Sequence, residues 1–176
     1  MTNRQSPTFT IVHDCGRRSD EIAEIIRAAF QARYGSGDGE VSIVARLRAD
    51  ADVIVELAAE EGGEIIGHAM FSRLAVEPRI ARVAALGPVC ARIDRQRRGI
   101  GDALIRAGLA VCAQSGAEGI FVLGDPLYYG RFGFSVAMAA RVACTYSGPH
   151  FQALELRPAA LAGVKSVAYA PAFAAV

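Results

Sequence analysis

Gln96-Arg97-Arg98-Gly99-Ile100-Gly101 is the stretch that decides the fold, because it joins two segments of different pattern. Residues 82–92 before it are almost entirely apolar and predict a strand, which Gly87-Pro88 interrupts. Residues 101–114 after it place apolar side chains on one helical face, and the apolar run 120–123 predicts a further strand. A strand–helix–strand unit of this kind makes its two strands parallel. The stretch is therefore predicted to form the turn into a crossover helix.

The same turn has the chemistry of an anion-binding loop. Backbone N–H groups at the start of a helix lack partners within the helix and carry partial positive charge. Gly99 and Gly101 have no side chains, so a bulky anion can approach these groups closely. Further positive charge comes from Arg95, Arg97 and Arg98. Together these features predict a ligand with several phosphates, and the alternative is an ordinary turn with a solvated arginine cluster.

Two other phosphate-binding patterns do not match. A dinucleotide-binding fingerprint requires a third glycine where Leu104 stands, and Glu118 precedes the next strand instead of ending it. A Walker-type loop requires Gly-Lys followed by Ser or Thr, and the sequence contains no such triplet. The loop therefore matches neither a dinucleotide-binding fold nor a Walker-type phosphate loop.

The rest of the chain predicts an α/β fold with a mixed, mostly antiparallel sheet and one parallel crossover. Proline cannot donate to a strand ladder, so Gly87-Pro88 predicts a bulge or a local parting of strands in this apolar run. Asp125 and Pro126 are placed to start a short helix that Gly133 ends. The sequence has no repeat or linker, so we expect one domain over residues 1–176. Further strands are predicted at 9–12, 53–57, 64–73, 141–146, 151–156 and 164–169, and further helices at 19–34 and 40–48.

The composition limits the class of protein. Apolar residues make up 52% of the 176 residues and charged residues 21%, which is typical of a folded domain with a core. A net charge of +1 without a basic face argues against nucleic acid or a membrane as partner. The four cysteines lie far apart without metal-type spacing, so we expect buried thiols and no metal. Residues 1–7 lack a signal-peptide pattern and no apolar run could span a bilayer, so we expect a cytoplasmic protein.

The loop resembles motif A of the GNAT superfamily of N-acetyltransferases, which is written Gln/Arg-x-x-Gly-x-Gly/Ala. Gln96, Gly99 and Gly101 occupy the three defined positions of that motif. The resemblance covers about residues 9–156, with the elements in the order of the family, and leaves 157–176 as a C-terminal extension. It implies a GNAT-like fold with a bulged central strand. It also implies transfer of an acetyl group from acetyl-CoA to an amine, by direct attack in a ternary complex.

The resemblance further implies where acetyl-CoA binds. In the family, backbone amides of the loop hold the pyrophosphate, and the pantetheine arm lies between the bulged strand and its neighbour. Two positions near this binding region depart from the family pattern. Ile93 stands where a proline is common, and Val122 replaces a frequent asparagine. Carried over by position, the cofactor-binding residues are Val89, Cys90, Ala91, Gln96, Arg97, Arg98, Gly99, Ile100, Gly101 and Asp102.

A second match lies at Tyr129-Gly130-Arg131-Phe132-Gly133-Phe134, which is similar to the family's Tyr-x-x-x-Gly-Phe segment. By position, Tyr129 and not Tyr128 takes the family's role of protonating the departing thiolate. A phenol is protonated at neutral pH and can donate a proton to sulfur. The alternative interpretation is a core aromatic cluster of Tyr128, Tyr129, Phe132 and Phe134.

No residue is assigned as the general base that an ammonium substrate needs. Residues 84–86 are small or apolar, where the family often has a glutamate. His68 is the best candidate by pKa, with a hydrogen-bonded core histidine as the alternative, and Glu77 is expected in a loop. A covalent route would use Cys90, but a cysteine in an apolar strand is expected to have a raised pKa and an unreactive thiol.

The acceptor is expected to be a small-molecule or peptide amine that the sequence does not specify. A homodimer is an open alternative to a monomer. A non-catalytic acyl-CoA-binding sensor is the second functional hypothesis, because such a module would keep the phosphate loop and lack a base. In this fold the acceptor walls come from the first two helices and the last hairpin, which here offer Tyr34, Ser36, Asp38, Glu40, His150 and Gln152.

Overall fold

The computed structural model describes residues 9–13 and 15–175, so residues 1–7, which lack a signal-peptide pattern, lie outside the described part. None of the helices in that part is long and apolar enough to cross a membrane. The strands are β1 (Thr10–Val12), β2 (Val53–Glu61), β3 (Glu64–Glu77), β4 (Val83–Ala91), β5 (Gly119–Leu123), β6 (Phe151–Glu155) and β7 (Ser166–Tyr169). The helices are α1 (Ser19–Tyr34), α2 (Asp38–Ala49), α3 (Ile100–Gln114), α4 (Pro126–Tyr129) and α5 (Val136–Ala139). Turns of 3₁₀ helix lie at Gly16–Arg18, Ile93–Arg95, Gly130–Phe132 and Pro171–Ala175.

The strands form one mixed sheet in the order β1-β2-β3-β4-β5-β6, and β7 is added beside the end of β3. β4 and β5 are parallel and α3 connects them, whereas the other described strand pairs are antiparallel. The predicted α/β class with one parallel crossover is therefore confirmed. β7 pairs Ser166–Tyr169 with Leu74–Glu77 of β3. The segment 157–176, beyond the residues that resemble the family, thus contributes a strand to the sheet.

The irregularity predicted at Gly87-Pro88 lies in the middle of β4. Val89 pairs with Ala69 of β3 and Leu86 pairs with Phe71, so the two residues between them on β4 face a single residue of β3. On the other side of β4, the pairing with β5 ends at Leu86. This confirms the bulge, and it means that β4 and β5 part after Leu86.

Helices cover both faces of the sheet. α3 packs on one face, where its Leu104 and Ile105 join Phe71 of β3 in a buried cluster. α1 and α2 pack on the other face, where Ile26 and Leu47 belong to a second buried cluster. Burying apolar side chains on both faces is what holds these layers together. The arrangement leaves the N-terminus of α3 and the C-terminal end of α1 near the same edge of the sheet, since both border one cavity.

Two details differ from the predicted elements. Residues 141–146 were expected as a strand, but they fold as turns with one isolated bridge, from Ala143 to Ser166. The reason is local hydrogen bonding, because the N–H of Cys144 donates to the Ser147 hydroxyl at 3.0 Å and closes a turn there. β3 is also longer than predicted, so Glu77 ends a strand and does not lie in a loop.

The contact of Gly108 with Phe71 fixes the depth at which α3 lies on the sheet. A Cβ atom at position 108 would overlap the buried ring of Phe71. We expect Gly108→Ala to lower the free energy of unfolding by about 1–2 kcal/mol, because overpacking outweighs the better helix propensity of alanine. Urea unfolding measures the change. Gly16→Ala is the matched control, since its Cβ would meet no atom within 4 Å, and an equal loss in both variants would contradict the packing argument.

Candidate active site

A cavity of about 930 Å³ lies where β4 and β5 part, which is within the usual range for ligand pockets. Its walls come from the second half of β4, the loop before α3, and α4, and across from these from α1, α2 and the C-terminal segment. The cavity brings together Tyr129 and all but one of the predicted cofactor-binding residues. These are Val89, Cys90, Ala91, Gln96, Arg97, Gly99, Ile100, Gly101, Asp102 and Tyr129.

The loop before α3 has the backbone shape that its glycines predicted. Gly99 has a φ of 80° and forms the N-cap of α3, a left-handed conformation that favours glycine. Arg97 also has a positive φ, of 59°. The N–H of Ala103 donates to the Gly99 carbonyl at 2.9 Å, so the helix ladder begins there. The N–H groups before Ala103 have no acceptor within the helix and lie at the cavity wall, as an anion site requires.

The arginines of the loop do not all face the cavity. Arg97 lines it. Arg95 and Arg98 instead reach Glu61 at the end of β2, with N–O distances of 3.0 and 3.2 Å. Arg98 is not among the lining residues, so the structure places this one predicted cofactor contact outside the cavity wall. The positive charge at the loop is therefore smaller than the sequence suggests.

Tyr128 and Arg131 contact the start of α3, and the sequence did not predict this contact. The Arg131 guanidinium lies 4.5 Å from the centre of the Tyr128 ring and 3.0 Å from a carboxylate oxygen of Asp102. A Cβ atom on Gly101 would lie 2.5 Å from the Tyr128 hydroxyl. Pairing of an aromatic residue with an arginine three residues later was the available signal, because side chains at this spacing meet on a helical turn.

Tyr129 stands at the start of the turn that closes α4, and it lines the cavity. Asp125 caps α4 by accepting the N–H of Leu127 at 2.9 Å, which confirms the predicted cap. Gly124 permits the close approach of the tyrosine ring, since a Cβ at that position would overlap it. Burial raises the pKa of Tyr129, and the neighbouring Tyr128 adds to the shift. Tyr129 is therefore a neutral phenol at physiological pH.

Cys90 and His68 lie side by side on β4 and β3, but neither is poised for chemistry. Burial raises the pKa of the Cys90 thiol to about 12, in line with the expectation of an unreactive thiol. His68 is fully buried and its Nε2 lies 2.8 Å from Glu56, which Arg48 also binds. Burial lowers the pKa of His68 and outweighs the opposing effect of Glu56. The geometry matches the alternative of a hydrogen-bonded core histidine.

Only some of the residues that the sequence suggested for the acceptor walls line the cavity. Tyr34 and Glu40 line the cavity. Gln152 is fully buried and donates from Nε2 to the Gly124 carbonyl at 3.0 Å, so it supports the end of β5 and is not a wall. Asp38 binds Arg27 at 2.8 Å on the surface. No group of three or more potential metal-ligating side chains occurs within the described residues.

The comparisons with known proteins agree with this geometry. The sequence model of the Acetyltransferase (GNAT) family matches residues 19–134. The chain belongs to the GNAT family of acetyltransferases. A relative, the uncharacterised N-acetyltransferase YhbS of Escherichia coli (strain K12), is 31% identical over 148 residues, which are 81% of this chain and 84% of YhbS.

Two solved GNAT structures share the whole fold. The crystal structure of Escherichia coli YhbS in complex with CoA has a TM-score of 0.87 at 26% identity, and covers 99% of this chain and 96% of its own. A GNAT family acetyltransferase from Brucella melitensis, in complex with acetyl-CoA, has a TM-score of 0.81 at 34% identity, with coverages of 96% and 99%. The family and the acetyltransferase class predicted from motif A are thus confirmed.

The raised pKa of Cys90 in this GNAT protein predicts its reactivity. At pH 8 only about one thiol in ten thousand would be ionised at this position, and the thiolate is the reactive form. We expect iodoacetamide to leave Cys90 unmodified in the native protein over hours and to modify it within minutes in urea, as measured by mass spectrometry of peptides. Rapid modification of native Cys90 would instead reopen the covalent route.

Proposed function

We propose that this protein transfers an acetyl group from acetyl-CoA to an amine by direct attack in a ternary complex. The observation that carries the proposal is that one cavity joins the open N-terminus of α3 to the neutral phenol of Tyr129. The first of these groups suits a pyrophosphate and the second suits a departing thiolate. Their placement on one cavity fits a ligand that carries both groups at opposite ends.

The residues present fit acetyl-CoA along the length of that cavity. Gly99 and Gly101 leave space for phosphate oxygens beside the first N–H groups of α3, and Arg97 adds one positive charge. Val89, Cys90 and Ala91 pair with β3 on one side only, because β5 has already parted from β4. Their backbone groups on the other side are therefore available to the amides of a pantetheine arm. The relatives that bind CoA and acetyl-CoA support the same assignment.

The proposed reaction requires the protein to hold two reactants together and to donate one proton. The amine nitrogen bonds to the acetyl carbon, the carbon–sulfur bond breaks, and the electron pair of that bond stays on sulfur. The proton lost by the amine passes to water, and the sulfur takes a proton from Tyr129, which is later restored by solvent. Holding the two reactants together supplies much of the rate, because a bimolecular step becomes effectively unimolecular.

The pKa of Tyr129 sets how its proton is given. An ordinary tyrosine has a pKa of about 10 and a thiol one of about 8.5, so a phenol is the weaker acid of the two. Burial raises the pKa of Tyr129 further. Complete transfer to a free thiolate would therefore be uphill, and the proton is best donated while the carbon–sulfur bond breaks. This predicts a contribution at the lower end of general acid catalysis.

The assignment of the phosphate loop is tested at Gly101. Acetyl-CoA at about a hundred times its Kd should stabilise the wild type by roughly 2.7 kcal/mol, which is visible as a rise in Tm. Gly101→Val should weaken acetyl-CoA binding by more than about tenfold, because its side chain would stand beside the first N–H groups of α3. Isothermal titration calorimetry with acetyl-CoA measures the Kd.

A control separates the loss of phosphate binding in Gly101→Val from a second effect, which is a clash with Tyr128. A side chain at Gly101 would also displace the Tyr128 hydroxyl, which lies 2.5 Å from the position of its Cβ. Tyr128→Phe removes that hydroxyl and should leave acetyl-CoA affinity within about threefold. Gly101→Val combined with Tyr128→Phe should still bind weakly. Wild-type affinity in the double variant would move the phosphate site away from α3.

The role of Tyr129 is tested by Tyr129→Phe, which keeps the ring packing and removes the proton donor. With an accepted amine and saturating acetyl-CoA, kcat should fall at least about tenfold, while the Kd of acetyl-CoA stays within about threefold. Tyr128→Phe is the matched control and should keep most of the turnover. Thiol release and calorimetry supply the two measurements.

Two results would count against this role. One is an unchanged kcat in Tyr129→Phe where chemistry limits the rate. The other is a wild-type rate that falls between pH 7 and pH 9, because the raised pKa keeps Tyr129 protonated throughout that range. Tight acetyl-CoA binding without turnover on any amine would favour the non-catalytic sensor.

A further inference from the structure

The wall of the cavity that α1, α2 and the C-terminal segment contribute is largely aromatic and apolar, and Arg33 of α1 adds one positive charge to it. Phe30 of α1 and Ile43 of α2 contribute from one side. Tyr169 of β7 and Phe173 of the following 3₁₀ turn contribute from the C-terminal segment. This wall comes from elements other than β4, α3 and α4, so we assign it to the acceptor.

The C-terminal part of this wall is held rigidly. The Tyr169 ring meets Tyr146 edge-on at a centroid distance of 5.3 Å and Phe173 at 5.0 Å. The Tyr146 hydroxyl donates to the Phe173 carbonyl at 3.2 Å. Backbone pairing of Tyr169 with Leu74 anchors the cluster to β3. An aromatic surface fixed in this way can accept a flat apolar group without reorganising.

The hydroxyl of Tyr169 is a polar atom without a partner in this wall. It is buried, and no hydrogen bond joins it to any described residue. Burial raises the pKa of Tyr169, and the nearby Cys144, Tyr146 and Tyr129 add to the shift. A buried hydroxyl normally has a partner. Since this hydroxyl is itself buried, what Tyr169 offers a ligand is its ring.

Glu40 supplies the negative charge on the acceptor side. It lines the cavity from the first turn of α2. Within the described residues, no hydrogen bond or ion pair engages its carboxylate. The other two lining carboxylates are engaged, since Asp102 binds Arg131 and Asp125 caps α4. Among the described lining residues, Glu40 is thus the carboxylate left to attract an ammonium group, against the charge of Arg33, which lines the same cavity.

We propose that the acceptor is a primary amine on an aromatic or apolar body, seated against Phe30, Tyr169 and Phe173 with its amine end drawn in by Glu40. This rests on the proposed function and names the substrate class for it. A polyamine would leave its further charges against an apolar wall, which is unfavourable. The same wall gains from burying a phenyl group, and one good aromatic contact is worth about a tenfold preference or more.

The test compares amines that share an ethylamine end. 2-Phenylethylamine should be acetylated with a kcat/KM at least about tenfold above those of ethanolamine and 1,4-diaminobutane. Thiol release from acetyl-CoA gives the rates. Saturation-transfer NMR on the CoA-loaded protein gives binding of the same three amines independently of turnover, and only the phenyl compound should bind.

Three variants locate the site of this preference. Phe173→Ala should raise the KM for 2-phenylethylamine at least about fivefold, and Tyr169→Phe should leave it within about threefold because the ring is kept. Glu40→Gln should raise the KM of every amine without changing the preference for an aromatic body. The Kd of acetyl-CoA should not change in any of them. Phe9→Ala and Glu24→Gln are matched controls, because Phe9 packs on the core outside the cavity and Glu24 is exposed on α1.

The outcomes separate the two proposals. Turnover that favours ethanolamine or 1,4-diaminobutane, or a KM that Phe173→Ala leaves unchanged, overturns the aromatic acceptor while the acetyltransferase proposal stands. Failure of all three amines to bind in the NMR experiment also overturns it, whatever the turnover. Loss of the acetyl-CoA-induced rise in Tm, by contrast, is the failure of the proposed function itself.

Discussion

The parting of β4 and β5 after Leu86 is the constraint on which the candidate site depends. Proline lacks an N–H group, so Gly87-Pro88 cannot continue the ladder to β5. β4 still keeps its pairing with β3 at Val89, Cys90 and Ala91, which holds the strand in place while its other side is open. A regular strand here would bond to β5 and close the cavity. The site is therefore a consequence of one interruption in an otherwise complete sheet.

Both functional segments follow directly from the two strands that part. β4 leads into the loop and α3, and β5 leads through Asp125 into α4 and Tyr129. Because these strands are parallel, their carboxyl ends meet at one edge of the sheet, which is where α/β sheets bind ligands. Gly108 lets α3 lie close to Phe71, and Gly124 lets the ring of Tyr129 lie close to the end of β5. Close contacts at these two glycines, which have no Cβ atom, therefore set the positions of α3 and of Tyr129.

The sequence was sufficient for the elements whose signals are local. Gly99 predicted the turn into α3, Pro88 the bulge, and Asp125 the cap of α4, since each acts through its own backbone geometry or hydrogen bond. The sequence prediction was wrong at residues 141–146, where a turn closed by the Ser147 hydroxyl replaces the expected strand. It also could not show that β7 would pair with β3 and bring Tyr169 to the cavity, because such pairing depends on tertiary packing and not on spacing.

Charge is the property for which the sequence was least reliable, and this affects how the loop can work. Three arginines around the loop suggested a site governed by side-chain charge, but Arg95 and Arg98 are engaged by Glu61. Partly exposed ion pairs of this kind contribute little to stability, yet they hold the guanidinium groups at Glu61. Of the three loop arginines, Arg97 is the one that lines the cavity, beside the unpaired N–H groups of α3. For the phosphate site that we propose, recognition by the loop therefore rests mainly on its backbone, which glycine substitutions disturb more than the loss of a single loop arginine would.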